Sequence, residues 1–513
     1  MTDIKNTLVN GNDNLSYTEN GAVGYASTLN PLVDLNFKVP SMRKGMTSAA
    51  LKQFEYALAS NFTYAVKWMF YLRDIRGGIG ERDSFTKLYA DFSRYDHEAA
   101  VKCLPLIAEY GRWKDVVSVA FASGSTVKDE CIELISAQFK EDLLNYKSGK
   151  SISLLAKWLP SINASQKARE QAKYICNALG LTHQEYRKAL SGLRSYLDVT
   201  EVKTCGNNWS EIDYNKVSSN ANLRYSGSFL KHDEVRRKEY LAELAKPASE
   251  RSVVMHAQDL TPCEIWHKYC GNKYYGNVTV DDSLERMWEN LKQIDCTGDT
   301  MCIVDGSGSM TTTIGTGSIS ALSVARSLGV YFAEHNKGEM KDKFITFSSR
   351  PQIVDLSGCT NLASKINTCF NYNDCSNTNL EKVFKLILET AVRGKMSQSD
   401  IPERLLIISD MEFDQATSLG WGEGVVGKAK TLFDTISQEY ARYGYKLPKL
   451  VFWNVNSRTN TIPVTSNEAG VILVSGYSVN LLNMVMSGQT DPWFALKEIL
   501  DGERYSAIDK ALA

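Results

Sequence analysis

The sequence predicts a multidomain protein, an α-helical N-terminal region followed by an α/β domain with a doubly wound, mostly parallel sheet. Three observations carry this. The chain has 513 residues, more than one compact core accommodates. From Thr47 to about Gln293 apolar residues recur at three- and four-residue spacing. From about Cys296 the pattern changes to short apolar runs separated by helical stretches.

The first 46 residues are rich in Asn, Gly, Ser and Thr and read as an irregular lead-in. Residues 47–295 then form a helical scaffold. Leu51, Phe54, Leu58, Phe62, Ala65, Met69 and Leu72 share one helical face, which the Gly77-Gly78 pair ends. Further helices are predicted over 83–95, 97–108, 112–122, 127–147, 165–179 and 182–197. The last opens with Thr182 and Glu185 at capping-box spacing. Consecutive helices on short turns suggest stacked pairs, as in HEAT-like solenoids.

In residues 296–513 the strands are predicted at 301–305, 343–347, 404–409, 449–455 and 471–475. Helices are predicted at 319–335, 361–370, 379–393 and 426–443. Ligands of such sheets bind at the C-terminal ends of central strands.

Composition narrows the function classes. A formal net charge of −1 excludes a uniformly basic coat, though not a local basic face. The polar N-terminus has no apolar segment of signal-peptide type, and no run approaches 18 apolar residues, so no membrane span is expected. The 11 cysteines are scattered without a C-x-x-C pair, which suggests reduced thiols and a cytoplasmic setting. The six histidines fall in no recognisable catalytic motif, so a non-enzymatic protein is expected. His256, Cys263, His267 and Cys270 lie close in sequence, but their spacing fits no zinc pattern, and buried thiols are the better reading.

Two of the strands end in aspartate, Asp305 and Asp410. The first continues as Asp305-Gly306-Ser307-Gly308-Ser309, a D-x-S-x-S motif, and Thr378 precedes a helix between the two strands. Carboxylates and hydroxyls are hard oxygen donors of the kind Mg²⁺ takes, with Mn²⁺ and Ca²⁺ as alternatives. A hydroxyl-rich set leaves the ion under-neutralised and able to recruit an acidic group from a partner. Together these residues resemble the metal-ion-dependent adhesion site (MIDAS) of von Willebrand A domains, which are Rossmann-like. That resemblance implies a metal site made of Asp305, Ser307, Ser309, Thr378 and Asp410. Gly306 stands where many such domains carry a larger residue, at a position that contributes no ligand.

The whole chain further resembles an uncharacterised Ro-like family, and more distantly the Ro autoantigens. The resemblance rests on segments such as FYLRDIRGGIGERDSF (70–85), LPLIAEYGRWKDVV (104–117), SDMEFDQA (409–416) and VFWNV (451–455). It implies a TROVE-like helical region that binds RNA and a C-terminal A domain. The residues offered for RNA are Arg73, Arg76 and Arg82 beside glycines, and Arg112 and Lys114 flanking Trp113. Asp74, Glu81 and Asp83 offer those arginines ordinary partners, and Trp113 fits a core equally well. The alternative to RNA binding is a protein-interaction, assembly or chaperone module.

Overall fold

The computed structural model describes residues 14–513 apart from 44, 46, 295–298, 316, 348–349, 373–378, 415–431, 467–468 and 487. The chain forms two compact units, neither continuous in sequence. One takes residues 1–53 and 260–499, the other 54–259 and 500–513.

In the first unit, residues read as an irregular lead-in are ordered. Leu15–Tyr17 (β1) and Val23–Tyr25 (β2) pair antiparallel as a hairpin, and a helix follows at Pro31–Phe37, capped by the Asn30 side chain. The main sheet has six strands: Thr300–Asp305 (β3), Lys343–Phe347 (β4), Gln352–Asp355 (β5), Arg404–Ser409 (β6), Lys449–Asn454 (β7) and Val471–Ser475 (β8). Their order is β5-β4-β3-β6-β7-β8, parallel except for β5, which returns antiparallel along the β4 edge. The strands predicted from sequence are all present; β5 was not expected. Its sequence is short and largely exposed, so it lacks the apolar run that marks the buried strands.

Both faces of the sheet are covered. On one, Ile303, Leu405, Ile407 and Phe452 pack with Phe384, Ile387, Phe433 and Ile436 from the helices Leu380–Gly394 and Leu432–Arg442. Val33 and Phe37 of the N-terminal helix join the same core. Each such side chain contributes roughly 1.5–3 kcal/mol when fully buried. On the opposite face the helix Ala321–His335 lies against β3 so closely that a Cβ at Gly329 would stand 2.5 Å from Val304.

The second unit is helical. The six predicted helices appear as Asp83–Tyr95, His97–Tyr110, Trp113–Ala120, Lys128–Lys147, Gln166–Ala178 and His183–Tyr196, the last with its Thr182–Glu185 capping box. The single helix expected over 51–72 is instead two, Ser48–Ser60 and Phe62–Arg73, interrupted at Asn61. Phe70, Phe85, Tyr89 and Tyr110 form an aromatic core with ring centroids 5.3–6.1 Å apart. Tyr505, from the C-terminal segment, stacks on Tyr110 at 5.6 Å. Among the described residues no helix is long and apolar enough to cross a membrane.

Candidate metal centre and basic surface

The candidate centre follows from the strand order. Strands β3 and β6 are neighbours, yet the chain leaves β3 toward β4 on one side and leaves β6 toward β7 on the other. Such a switch point opens a crevice at the C-terminal strand ends. Asp305 is the last residue of β3, and Asp410 follows β6 immediately.

The loop after β3 is shaped by the first aspartate. Its Oδ1 accepts from the Ser307 backbone N–H at 2.9 Å, and its Oδ2 accepts from the Ser409 hydroxyl at 2.5 Å. The chain then enters a short 3₁₀ turn at Gly308–Thr311, and the Ser307 and Ser309 hydroxyl oxygens stand 3.0 Å apart. The Ser309 hydroxyl lies close enough to Asp410 to lower its carboxyl pKa. Thus four of the five residues predicted from sequence converge. Thr378 lies outside the described residues; the helix after it is capped by Asn379, whose side chain accepts from Lys382 N–H at 3.1 Å.

Asp305, Ser307 and Asp410 are buried. Burial, and then the charge of Asp410, pushes the Asp305 carboxyl well above the usual carboxylate range. Burial likewise raises Asp410, against the lowering by the Ser309 hydroxyl and the Glu412 N–H. Asp410 Oδ2 is buried without a hydrogen-bond partner among the described residues, and the nearest recorded cation is Arg458, whose Nη2 is 3.6 Å away. Two buried carboxylates, two hydroxyls and one orphaned oxygen fit a hard divalent cation. The set can supply oxygen ligands, and its two carboxylates can supply no more negative charge than the dication carries.

The residues offered for RNA divide. Arg73 is 2% exposed, and its Nη2 and Nε lie 2.6 and 2.9 Å from Asp115 Oδ2, so it is a buried structural cation rather than a phosphate contact. The neighbouring glycines serve packing as well. A Cβ at Gly78 would stand 2.1 Å from the Tyr71 carbonyl oxygen, and one at Gly111 would stand 2.4 Å from Asp115 Oδ2. Arg76 is exposed and donates to the Glu109 carbonyl at 3.0 Å; Arg82 is exposed and pairs with Asp83 at 3.0 Å. Arg112 is half-buried and Lys114 exposed. Sequence reasoning missed Trp158, a half-buried ring with the Arg112 guanidinium 5.1 Å and the Lys157 ammonium 5.8 Å from its centre. Nothing in the spacing of residues 112 and 158 marks them as neighbours. Burial, then the nearby charge of Arg73, lowers the Arg112 pKa. Cys263 and Cys270 are buried thiols that burial pushes up to about 12.

Comparison with known proteins adds the following. Residues 299–500 match a domain of unknown function, DUF7788, and residues 164–293 match a second, DUF2828. An uncharacterized protein of Acanthamoeba polyphaga mimivirus is 26% identical over 531 residues, covering 95% of this chain and 87% of that protein. The crystal structure of the Deinococcus radiodurans RO (RSR) protein aligns with 88% of this chain and 93% of that one, at 13% identity and a TM-score of 0.46. The mimivirus protein thus matches nearly the whole chain, and the sheet that carries the candidate centre falls wholly within the first matched domain.

Proposed function

We propose that the protein is a non-enzymatic binding protein whose sheet domain holds a divalent cation on Asp305, Ser307, Ser309 and Asp410, with Thr378 as a fifth ligand, in the manner of a von Willebrand A domain. The observation that carries this reading is the orphaned Asp410 Oδ2 beside a second buried carboxylate at the switch point. When bound, the ion supplies a Lewis-acidic position that accepts a carboxylate from a partner. The chain's own residues orient the site. The Ser307 N–H and the Ser409 hydroxyl fix the Asp305 carboxylate, and the Ser307–Ser309 contact aligns the two hydroxyls. Mg²⁺ is the preferred ion, with Mn²⁺ or Ca²⁺ as substitutes. Calorimetric titration of the full chain with Mn²⁺ should give one saturable site, lost or weakened at least about tenfold in Asp305→Ala, the loss expected for a removed charged ligand. Unchanged affinity in that variant overturns the reading.

A second reading, RNA contact by the helical unit, is favoured by the Arg112–Trp158–Lys157 arrangement, which sets charge beside an aromatic face as single-strand binders do. Binding to single-stranded RNA that weakens steeply with salt and falls in Arg112→Ala and Lys114→Ala supports it. Absence of binding at low salt leaves a protein-interaction or assembly module.

A further inference from the structure

One buried carboxylate ties two segments together at the mouth of the candidate centre. Glu412, two residues beyond Asp410, accepts from the backbone N–H groups of Glu19 at 2.8 Å, Arg458 at 2.7 Å and Thr459 at 2.9 Å. The N-terminal turn between β1 and β2 is stitched to the same stretch. The Thr18 hydroxyl donates to the Phe413 carbonyl at 2.6 Å, the Asn20 amide to the Glu412 carbonyl at 2.7 Å, and Gly21 pairs with Asp414. These bonds fix where two charged side chains stand. The Arg458 Nη2 lies 2.6 Å from Glu19 Oε2 and 3.6 Å from Asp410 Oδ2, so one guanidinium nitrogen is shared between an exposed carboxylate and the orphaned oxygen.

We propose that Arg458 is a built-in competitor of the cation at Asp410, and that Glu19, by holding the guanidinium, sets how strongly it competes. This rests on the metal-binding reading above. At 3.6 Å the Arg458–Asp410 contact is too long for a good hydrogen bond but close enough for a strong Coulombic attraction in a partly buried place. It therefore supplies part of the positive charge that a metal would supply. A dication bound by the same carboxylate repels the guanidinium and is weakened by it. Glu19, at the shorter distance, pulls the guanidinium outward and limits its approach to Asp410. The two side chains thus act on metal affinity with opposite signs, and Glu19 acts through Arg458.

The same residues couple the site to the N-terminal hairpin. Glu19 sits in its turn, so an acidic or basic group that captures Glu19 or Arg458 changes metal affinity. By linkage, metal occupancy changes affinity for that group by the same factor.

The test is titration of the full chain with Mn²⁺, read as loss of the free-ion electron paramagnetic resonance signal. It compares wild type with Arg458→Gln, Arg458→Lys, Glu19→Gln and the double variant Glu19→Gln/Arg458→Gln. Arg458→Gln keeps the backbone N–H that Glu412 accepts, and thermal melting confirms that each variant is folded. The expected result is about tenfold tighter binding in Arg458→Gln, near wild-type binding in Arg458→Lys, and about threefold weaker binding in Glu19→Gln. The double variant should match Arg458→Gln. Wild-type binding that Arg458→Gln leaves unchanged or weakens overturns this proposal and leaves the metal site standing. Absence of saturable binding in both wild type and Arg458→Gln overturns the site and the proposal together.

Discussion

Buried charge is arranged differently at two places in this chain, and the consequences are readable one residue at a time. Asp305 and Asp410 are acids that burial holds above their ordinary range. A carboxyl so placed binds its proton more tightly in the native state than in the unfolded one. Its effect on stability is therefore favourable at low pH and is lost as pH rises from about 4, the unfolded value, through the raised native value. In chelator, wild type should lose stability between pH 4.5 and pH 8 relative to Asp410→Asn, by on the order of 3 kcal/mol. Added Mg²⁺ should restore it at pH 8. Parallel melting curves for the two proteins over that range would contradict this. Arg73 has the opposite arrangement, a buried cation paired with the buried carboxylate of Asp115. Arg73→Ala should cost about 3–5 kcal/mol in urea unfolding because it strands Asp115. Arg82→Ala, which breaks an exposed pair with Asp83, should change stability by less than about 0.5 kcal/mol. The convergence of Asp305, Ser307, Ser309 and Asp410 was legible in sequence because the motif is largely local, two serines within four residues of an aspartate at a strand end. Arg73 was misread for the converse reason. Its true partner is 42 residues away, whereas the glycines that suggested a phosphate loop are adjacent.

Among the elements, the N-terminal hairpin is the one whose role the sequence concealed. Its strands are three residues each, too short to show an alternating pattern, and the surrounding Asn, Gly and Ser suggested irregular chain. What orders it is contact with distant segments. Tyr25 and Ile462 exchange backbone bonds at 2.8 Å, and the Glu412 carboxylate receives the turn. Glu412→Gln places an amide where several N–H donors converge. It should destabilise the protein by about 2 kcal/mol and raise hydrogen exchange at residues 14–25 before elsewhere. Uniform loss of protection across the sheet domain would argue against the hairpin as a separately anchored element. The buried strands were legible because each is a continuous apolar run; β5 and the break at Asn61 were not, since an exposed edge and a helix interrupted for one residue leave little trace in composition.

At the scale of the molecule, the division of the chain escaped the sequence because each unit is assembled from separated stretches. A change of periodicity near Cys296 marks where strands begin, whereas the units divide at 53/54, 259/260 and 499/500. The segment 500–513 completes the helical unit. Asp74 is buried there and receives the Arg504 guanidinium, the Tyr505 hydroxyl at 3.0 Å and the Arg76 N–H at 3.0 Å. Lys67 pairs with Asp509 at 2.8 Å. Arg504→Ala should cost about 2 kcal/mol, less than a fully buried pair, because the guanidinium is about a third exposed and the Tyr505 bond remains. Chemical denaturation measures it, and a cost within experimental error would show that Tyr505 and the Arg76 N–H satisfy Asp74 without the guanidinium.

This interleaving also governs the order of events on the ribosome. The N-terminal hairpin emerges early but finds Glu412 and Ile462 only after most of the chain has been translated. The helical unit emerges as residues 54–259 yet lacks Arg504, Tyr505 and Asp509 until residues 260–499 have also been made. Neither unit can complete its native contacts before its distal segment has emerged, so each exposes unfinished apolar surface until then. Nascent chains should consequently depend on chaperones until residues 500–513 have emerged, and products stalled before that point should aggregate.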